Sequence, residues 1–234
     1  MKPIVRACIA EFLGTFALLF FGCGSVIVTD GMGDARGVLI AIAFAAVLVV
    51  CVTAFFEDSG SQFNPAVSIA LVVRGLQPAG RAVLFVVVQL VAAGCGVGML
   101  VYLLRPEVAN AESVRAGHAA GSLTVAGSEL RLVVAEGLQT FVLMAVILWA
   151  IADRPDEPRI SHGLCVGLTV AACVVVGGPM TGASLNPARS FGPALYGHWG
   201  LHWAYWVGPV GGACLASLVH MLVRGVVRKP DTAS

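Results

Sequence analysis

The sequence predicts an all-α membrane protein, a bundle of six transmembrane helices and two re-entrant half-helices arranged as two inverted three-helix halves. Three observations predict it. Of 234 residues, 58% are apolar and 12% charged, and the mean hydropathy is +0.91, values far from those of soluble domains, which exclude a water-soluble enzyme. Six apolar stretches approach or exceed the roughly 20 residues that a helix needs to cross a bilayer. Two short motifs of the first half recur in the second, in the same order.

The first stretch, residues 4–28, is followed by further membrane segments rather than a polar domain, so it reads as a retained span and not a signal peptide. A polar break at residues 30–37 leads to the second span, 38–56. The segment from Asn64 to Arg74 comes next; it is too short and too polar at one end to cross, and reads as a half-helix that enters and returns. The third span covers 82–104. A Gly- and Ser-containing stretch with Pro106 separates it from the fourth span, 132–152, and two prolines punctuate the link to the fifth, 160–178. Asn186 to Tyr196 reads as the second half-helix, and residues 199–223 as the last span. The chain is thus one transmembrane domain over residues 1–234, with a first repeat at 4–104, a connecting loop at 105–129 and a second repeat at 130–225. Backbone without a spanning helix is tolerated at membrane depth only where protein buries it or where it lines a wet cavity, so two half-helices imply an internal cavity.

The repeat is explicit. Ala10-Glu11-Phe12-Leu13-Gly14-Thr15-Phe16 matches Ala135-Glu136-Gly137-Leu138-Gln139-Thr140-Phe141 at five of seven positions, and Asn64-Pro65-Ala66 returns as Asn186-Pro187-Ala188. Three spans per half is an odd number, so the second half crosses in the opposite sense. Inverted repeats of this kind place their site near the bilayer midplane, where the broken helices meet.

Asn is a strong helix N-cap and Pro is favoured at the first helical position, so each Asn-Pro-Ala reads as a helix start. Two such N-termini facing one point concentrate positive partial charge and unsatisfied N–H groups there. That field repels cations and hydronium, while the amides of Asn64 and Asn186 offer hydrogen bonds to a small neutral oxygen compound. A carboxylate within a span is costly and calls for an explanation. Glu11 and Glu136 are symmetric in the repeat and placed to accept N–H bonds from the loops that lead into the half-helices; anchoring is the preferred reading, and proton carrying in a secondary transporter the alternative.

The remaining charge is uninformative about partners. Formal net charge is +1, which offers no footprint for nucleic acid. The seven cysteines, none in a CxxC spacing, read as small apolar residues, and no cofactor or metal signature is present. With the N-terminus cytoplasmic, nine of the 14 Lys and Arg fall inside (Lys2, Arg6, Arg74, Arg81, Arg154, Arg159, Arg224, Arg228 and Lys229), which places both termini in the cytoplasm of a cell membrane, plasma or inner.

These residues resemble a known family, the aquaporins of the major intrinsic protein superfamily, over nearly the whole chain. The resemblance is carried by residues 10–15, by Ser59-Gly60-Ser61-Gln62-Phe63-Asn64-Pro65-Ala66-Val67, by the run from Gly182 to Ala194 that contains Asn186-Pro187-Ala188-Arg189, and by Trp206-Val207-Gly208-Pro209. It implies a passive channel for water and small uncharged solutes such as glycerol, no enzyme activity, and a homotetramer in the lipid bilayer with one pore per subunit. It also implies a pore lined by carbonyls of Gly60, Ser61 and Gln62 on one side and Gly182, Ala183 and Ser184 on the other, and a selectivity filter of Phe44, Val174, Ala183 and Arg189.

Strict water channels of the family commonly carry His where Val174 stands and Thr or Cys where Ala183 stands, so the aperture here is expected to be wider and less polar. The set is similar to nodulin-type filters, which admit glycerol-sized solutes and neutral metalloid acids. Ser190, Ala194, Tyr205 and Trp206 resemble water-type markers instead. Glu57 and Asp58 are expected to pair with Arg74 or Arg81 at the inner vestibule, or to form a gate sensitive to pH or cations. His162, read as lying on the inner loop, is a further candidate pH sensor. His118, His198 and His202 sit on outer loops without zinc spacing. The alternatives are a channel mainly for glycerol or metalloid acids, a proton-coupled transporter, and a closed-pore junction protein.

Overall fold

The computed structural model describes residues 1–104, 127–197 and 199–225, and all regular structure among them is helical. Six helices are long and apolar enough to cross a membrane: α1 (Pro3–Val28), α2 (Gly33–Ser59), α4 (Ala79–Leu103), α5 (Glu129–Ala152), α6 (Arg159–Thr181) and α8 (Ala204–Arg224). Two short helices, α3 (Pro65–Arg74) and α7 (Pro187–Ala194), follow α2 and α6. The protein is a multi-pass membrane protein. Most of the connecting loop, with Arg105, Arg115 and His118, lies outside the described residues, as do His198, Arg228 and Lys229.

Three boundaries near the site differ from the sequence reading, for local reasons. Both α2 and α6 continue to the residue before a glycine in the left-handed region, Gly60 at φ +87° and Gly182 at φ +86°, so Glu57 and Asp58 sit on the last turn of α2. The last helix starts at Ala204 and not near residue 199, because Leu201 adopts φ +55° within a run of turns.

The packing follows the repeat. Helix α5 lies against α8, its counterpart α1 lies against α4, and α2 packs on α6 across the centre. Small residues allow these approaches: a Cβ at Gly212 would stand 1.9 Å from the Gly137 carbonyl oxygen, and one at Gly167 would stand 2.7 Å from that of Ala45. The half-helices are exchanged, since α3 packs mainly on α8 and α7 mainly on α4. Each half therefore completes the other. Apolar side chains such as Phe21, Ile42, Val50, Val87, Leu168 and Leu222 are exposed on the outside, a surface suited to hydrocarbon.

Candidate functional site

The two half-helices begin at matching asparagines. Asn64 and Asn186 are extended at their backbones, and each Oδ1 accepts from the N–H two residues on, Ala66 N and Ala188 N, both at 2.9 Å. These are side-chain N-caps worth about 1 kcal/mol each. Their amide nitrogens cross between the halves: Asn64 Nδ2 donates to the Leu185 carbonyl at 2.9 Å, and Asn186 Nδ2 to the Phe63 carbonyl at 2.8 Å. An amide carries two N–H donors, and each asparagine spends one of them on locking the halves together.

The loops before the caps carry the same backbone pattern twice. Gly60, Ser61 and Phe63 have positive φ, and so do Gly182, Ala183 and Leu185. Left-handed non-glycine residues cost about 1–3 kcal/mol each and persist only where surroundings over-determine them. The surroundings here are the two buried glutamates. Glu11 accepts from Gln62 N at 2.9 Å, Phe63 N at 2.7 Å, Ser59 Oγ at 2.6 Å and Gln89 Nε2 at 2.8 Å. Glu136 accepts from Ser184 N at 3.0 Å, Leu185 N at 2.8 Å and Thr181 Oγ1 at 2.6 Å.

Several members of this network escaped the sequence reading. Ser59 and Thr181 each donate to a glutamate and accept from the N–H two residues on, Ser61 N at 2.9 Å and Ala183 N at 3.1 Å. Their signal was available: a hydroxyl residue before a glycine, five positions ahead of each asparagine. Ser68 and Ser190 form another matched pair, bonding Gln62 Oε1 at 2.6 Å and Ser184 Oγ at 2.5 Å. Tyr205 is fully buried and donates to the Thr181 carbonyl at 2.6 Å, so Ser190 and Tyr205, first noted as subgroup markers, are tied into the loop scaffold.

A narrow cavity runs past both asparagines. Gly60, Ser61, Gln62, Ala183 and Ser184 line it, together with the apolar Leu48, Val52, Leu143, Ile147, Val166 and Val170. Phe44 and Arg189 are also on its wall. A second cavity holds Val174, Gly182 and Arg36, and Arg189 again. Arg189 thus lines both spaces. Its Nη2 donates to the Gly182 carbonyl at 3.1 Å, and its guanidinium carbon lies 5.5 Å from the Phe44 ring centroid. Of the four filter candidates, Phe44 and Ala183 line the first cavity, Val174 the second, and Arg189 both.

At the end of the bundle that carries the N-terminus, the acidic pair has other partners than expected. Glu57 pairs with Arg159 and Asp58 with Arg6 at 2.7 Å, because α6 and α1 flank the last turn of α2. Arg74 is instead bound to His220 Nδ1 at 2.8 Å, and Arg81 Nη2 donates to the Ser59 carbonyl at 2.9 Å. His162 lies not on a loop but within the first turns of α6, fully buried. Its ring packs on Phe56 at 4.6 Å, with Nε2 3.3 Å from the Arg154 carbonyl. On the other side, burial holds His202 below its ordinary pKa, and its Nε2 accepts from Trp206 Nε1 at 3.1 Å. Among the described residues, no group of three or more His, Cys, Asp or Glu is arranged to hold a metal ion, and the seven cysteines are free thiols.

The family model described as "Major intrinsic protein" matches residues 1–220. Among curated proteins, the chain is 38% identical to the probable aquaporin TIP3-2 of Arabidopsis thaliana over 97% of this chain and 87% of that protein. It is 42% identical to aquaporin TIP4-4 of Zea mays over 92% and 85% of the two chains. Among solved structures, the aquaglyceroporin from Plasmodium falciparum superposes with a TM-score of 0.83 at 23% identity, covering 93% of this chain and 95% of that one, a likeness of fold.

Proposed function

Since the chain belongs to the major intrinsic protein family, we propose that it is a passive, non-enzymatic channel for water whose apolar outer constriction also admits small uncharged solutes of glycerol size and excludes protons and ions. One observation carries this reading: two half-helix N-termini meet beside a single cavity, each capped by an asparagine that also bonds the opposite half. A molecule passing there meets both amide donors and hydrocarbon, so a neutral oxygen compound keeps hydrogen bonds that an ion's full hydration shell would lose. Val174 and Ala183 add no polar group at the outer constriction, which suits a carbon backbone. The reading of Glu11 and Glu136 as anchors, not proton carriers, is supported by the N–H and hydroxyl donors that each carboxylate accepts. Both termini are assigned to the cytoplasm of a cell membrane by the distribution of basic residues, and four chains to one assembly.

Light scattering on proteoliposomes tests the function. A sucrose gradient is expected to cause shrinkage faster than in empty vesicles, and a glycerol gradient to cause rapid re-swelling. Val174→His places a larger, polar ring beside Arg189; glycerol permeability is expected to fall about tenfold while water permeability stays within about threefold. Water flux without glycerol flux in the unmodified protein would contradict the solute range proposed, and acceleration of neither would contradict the channel.

A further inference from the structure

Phe44, on the wall of the first cavity, packs against a residue that does not line it. Helix α1 contains a π-type turn at Leu18–Cys23, a distortion that often marks functional places in helices. Gly22 lies in that turn against the Phe44 ring: a Cβ there would stand 2.4 Å from Phe44 Cε1, 2.7 Å from Cζ and 2.8 Å from Cδ1. No carbon contact is that short, so the ring occupies the space that any other residue at position 22 would fill. Gly22 is not among the glycines with positive φ, so its value is space and not a left-handed conformation.

The displacement that a side chain would force falls on a residue of the cavity wall. Arg189 stacks on the same ring, 5.5 Å from its centroid, and the two residues line the first cavity together. Beside Phe44, α2 is closely packed on α6: a Cβ at Gly167 would stand 2.7 Å from the Ala45 carbonyl oxygen. A ring displaced by a side chain at position 22 therefore changes the stack on Arg189 and the cavity wall that the two residues share. We propose that Gly22 is a specificity-determining positioning residue: by seating the Phe44 ring within α1, it holds the constriction open for solutes wider than water, of the three-carbon polyol class. The inference rests on the channel reading, and depends further on Phe44 and Arg189 bounding the narrowest passage.

The test compares water and glycerol permeability in proteoliposomes for the unmodified protein, Gly22→Ala, Phe44→Leu and the double variant. Gly80 sits in a helix with open space at its Cβ, so Gly80→Ala is expected to change neither rate. Gly22→Ala is expected to lower glycerol permeability about tenfold and water by less than about threefold. A merely structural role would lower both together. Phe44→Leu removes the ring edge that clashes, so the double variant is expected to recover the glycerol rate of Phe44→Leu. Should Gly22→Ala fail to fold, a folded and conducting double variant still supports the ring contact, and a double variant that also fails to fold overturns it. An unchanged ratio in Gly22→Ala, or no recovery in the double variant, overturns the inference and leaves the channel intact. Water flux without glycerol flux in the unmodified protein overturns it as well; no flux of either removes the channel reading itself.

Discussion

Glu136→Ala protein is expected to be recovered largely unfolded or aggregated, with the folded remainder losing its thermal transition about 10 °C earlier. The reason is a count of donors. Thr181 Oγ1 and the N–H groups of Ser184 and Leu185 all end on this carboxylate, in a fully buried position. A buried donor left without its acceptor costs about 1–3 kcal/mol. Three of them approach a stability of about 5–15 kcal/mol, even after the carboxylate's own desolvation penalty is removed with it. The loop that they hold contains two left-handed non-glycine residues, Ala183 and Leu185, which lose what keeps them strained. Glu136→Gln is expected to fall between, since it restores one acceptor but points an NH2 at donors. Thermal unfolding in detergent, followed by light scattering at matched amounts of folded protein, reads both effects. A proton carrier would behave otherwise: Glu136→Gln would fold like the unmodified protein and change proton-linked flux. That outcome would discard the anchoring role.

The same network shows which parts of the site a sequence makes legible. The asparagine caps and the two glutamates announce themselves because a strong cap before proline, and a carboxylate within an apolar run, each have few explanations, and both occur twice. The spans are legible from length and apolar content, since solvation by lipid acts on composition and not on detailed contacts. What stays hidden depends on which neighbour arrives in space. The partners of Glu57 and Asp58 are Arg159 and Arg6, although Arg74 and Arg81 are the arginines nearer along the chain; tilt and crossing of helices decide that, and no spacing encodes it. His162 reads as a loop residue because two prolines precede it, yet Pro158 serves as the N-cap of α6. Trp199 reads as helical by hydropathy, and a single left-handed residue, Leu201, delays the helix. Gly22 is one glycine among 28, and only the position of the Phe44 ring distinguishes it.

Arg189→Val is expected to raise proton leak across proteoliposomes by about ten- to a hundredfold, with water permeability within about twofold. Arg189 is buried, held to the Gly182 carbonyl and stacked on Phe44, so its charge is fixed beside the passage and little screened by solvent. Two unit charges about 4 Å apart repel by about 4 kcal/mol at an effective dielectric constant of 20. Taken alone, that barrier corresponds to roughly a thousandfold in rate. The full factor is not expected, because the half-helix N-termini at Asn64 and Asn186 carry about half a charge each and oppose the same ion further in. Neutral water feels neither field to first order. Arg189→Lys separates charge from shape: a lysine keeps the positive charge but not the planar group that spans Gly182 and Phe44. If charge governs exclusion, Lys keeps protons out and only Val leaks. Equal leak from both variants would mean that the guanidinium works as a plug, and no leak from either would assign proton exclusion to the two asparagine-capped helix ends alone. Dye-reported acidification of the vesicle interior under an imposed pH gradient distinguishes the three.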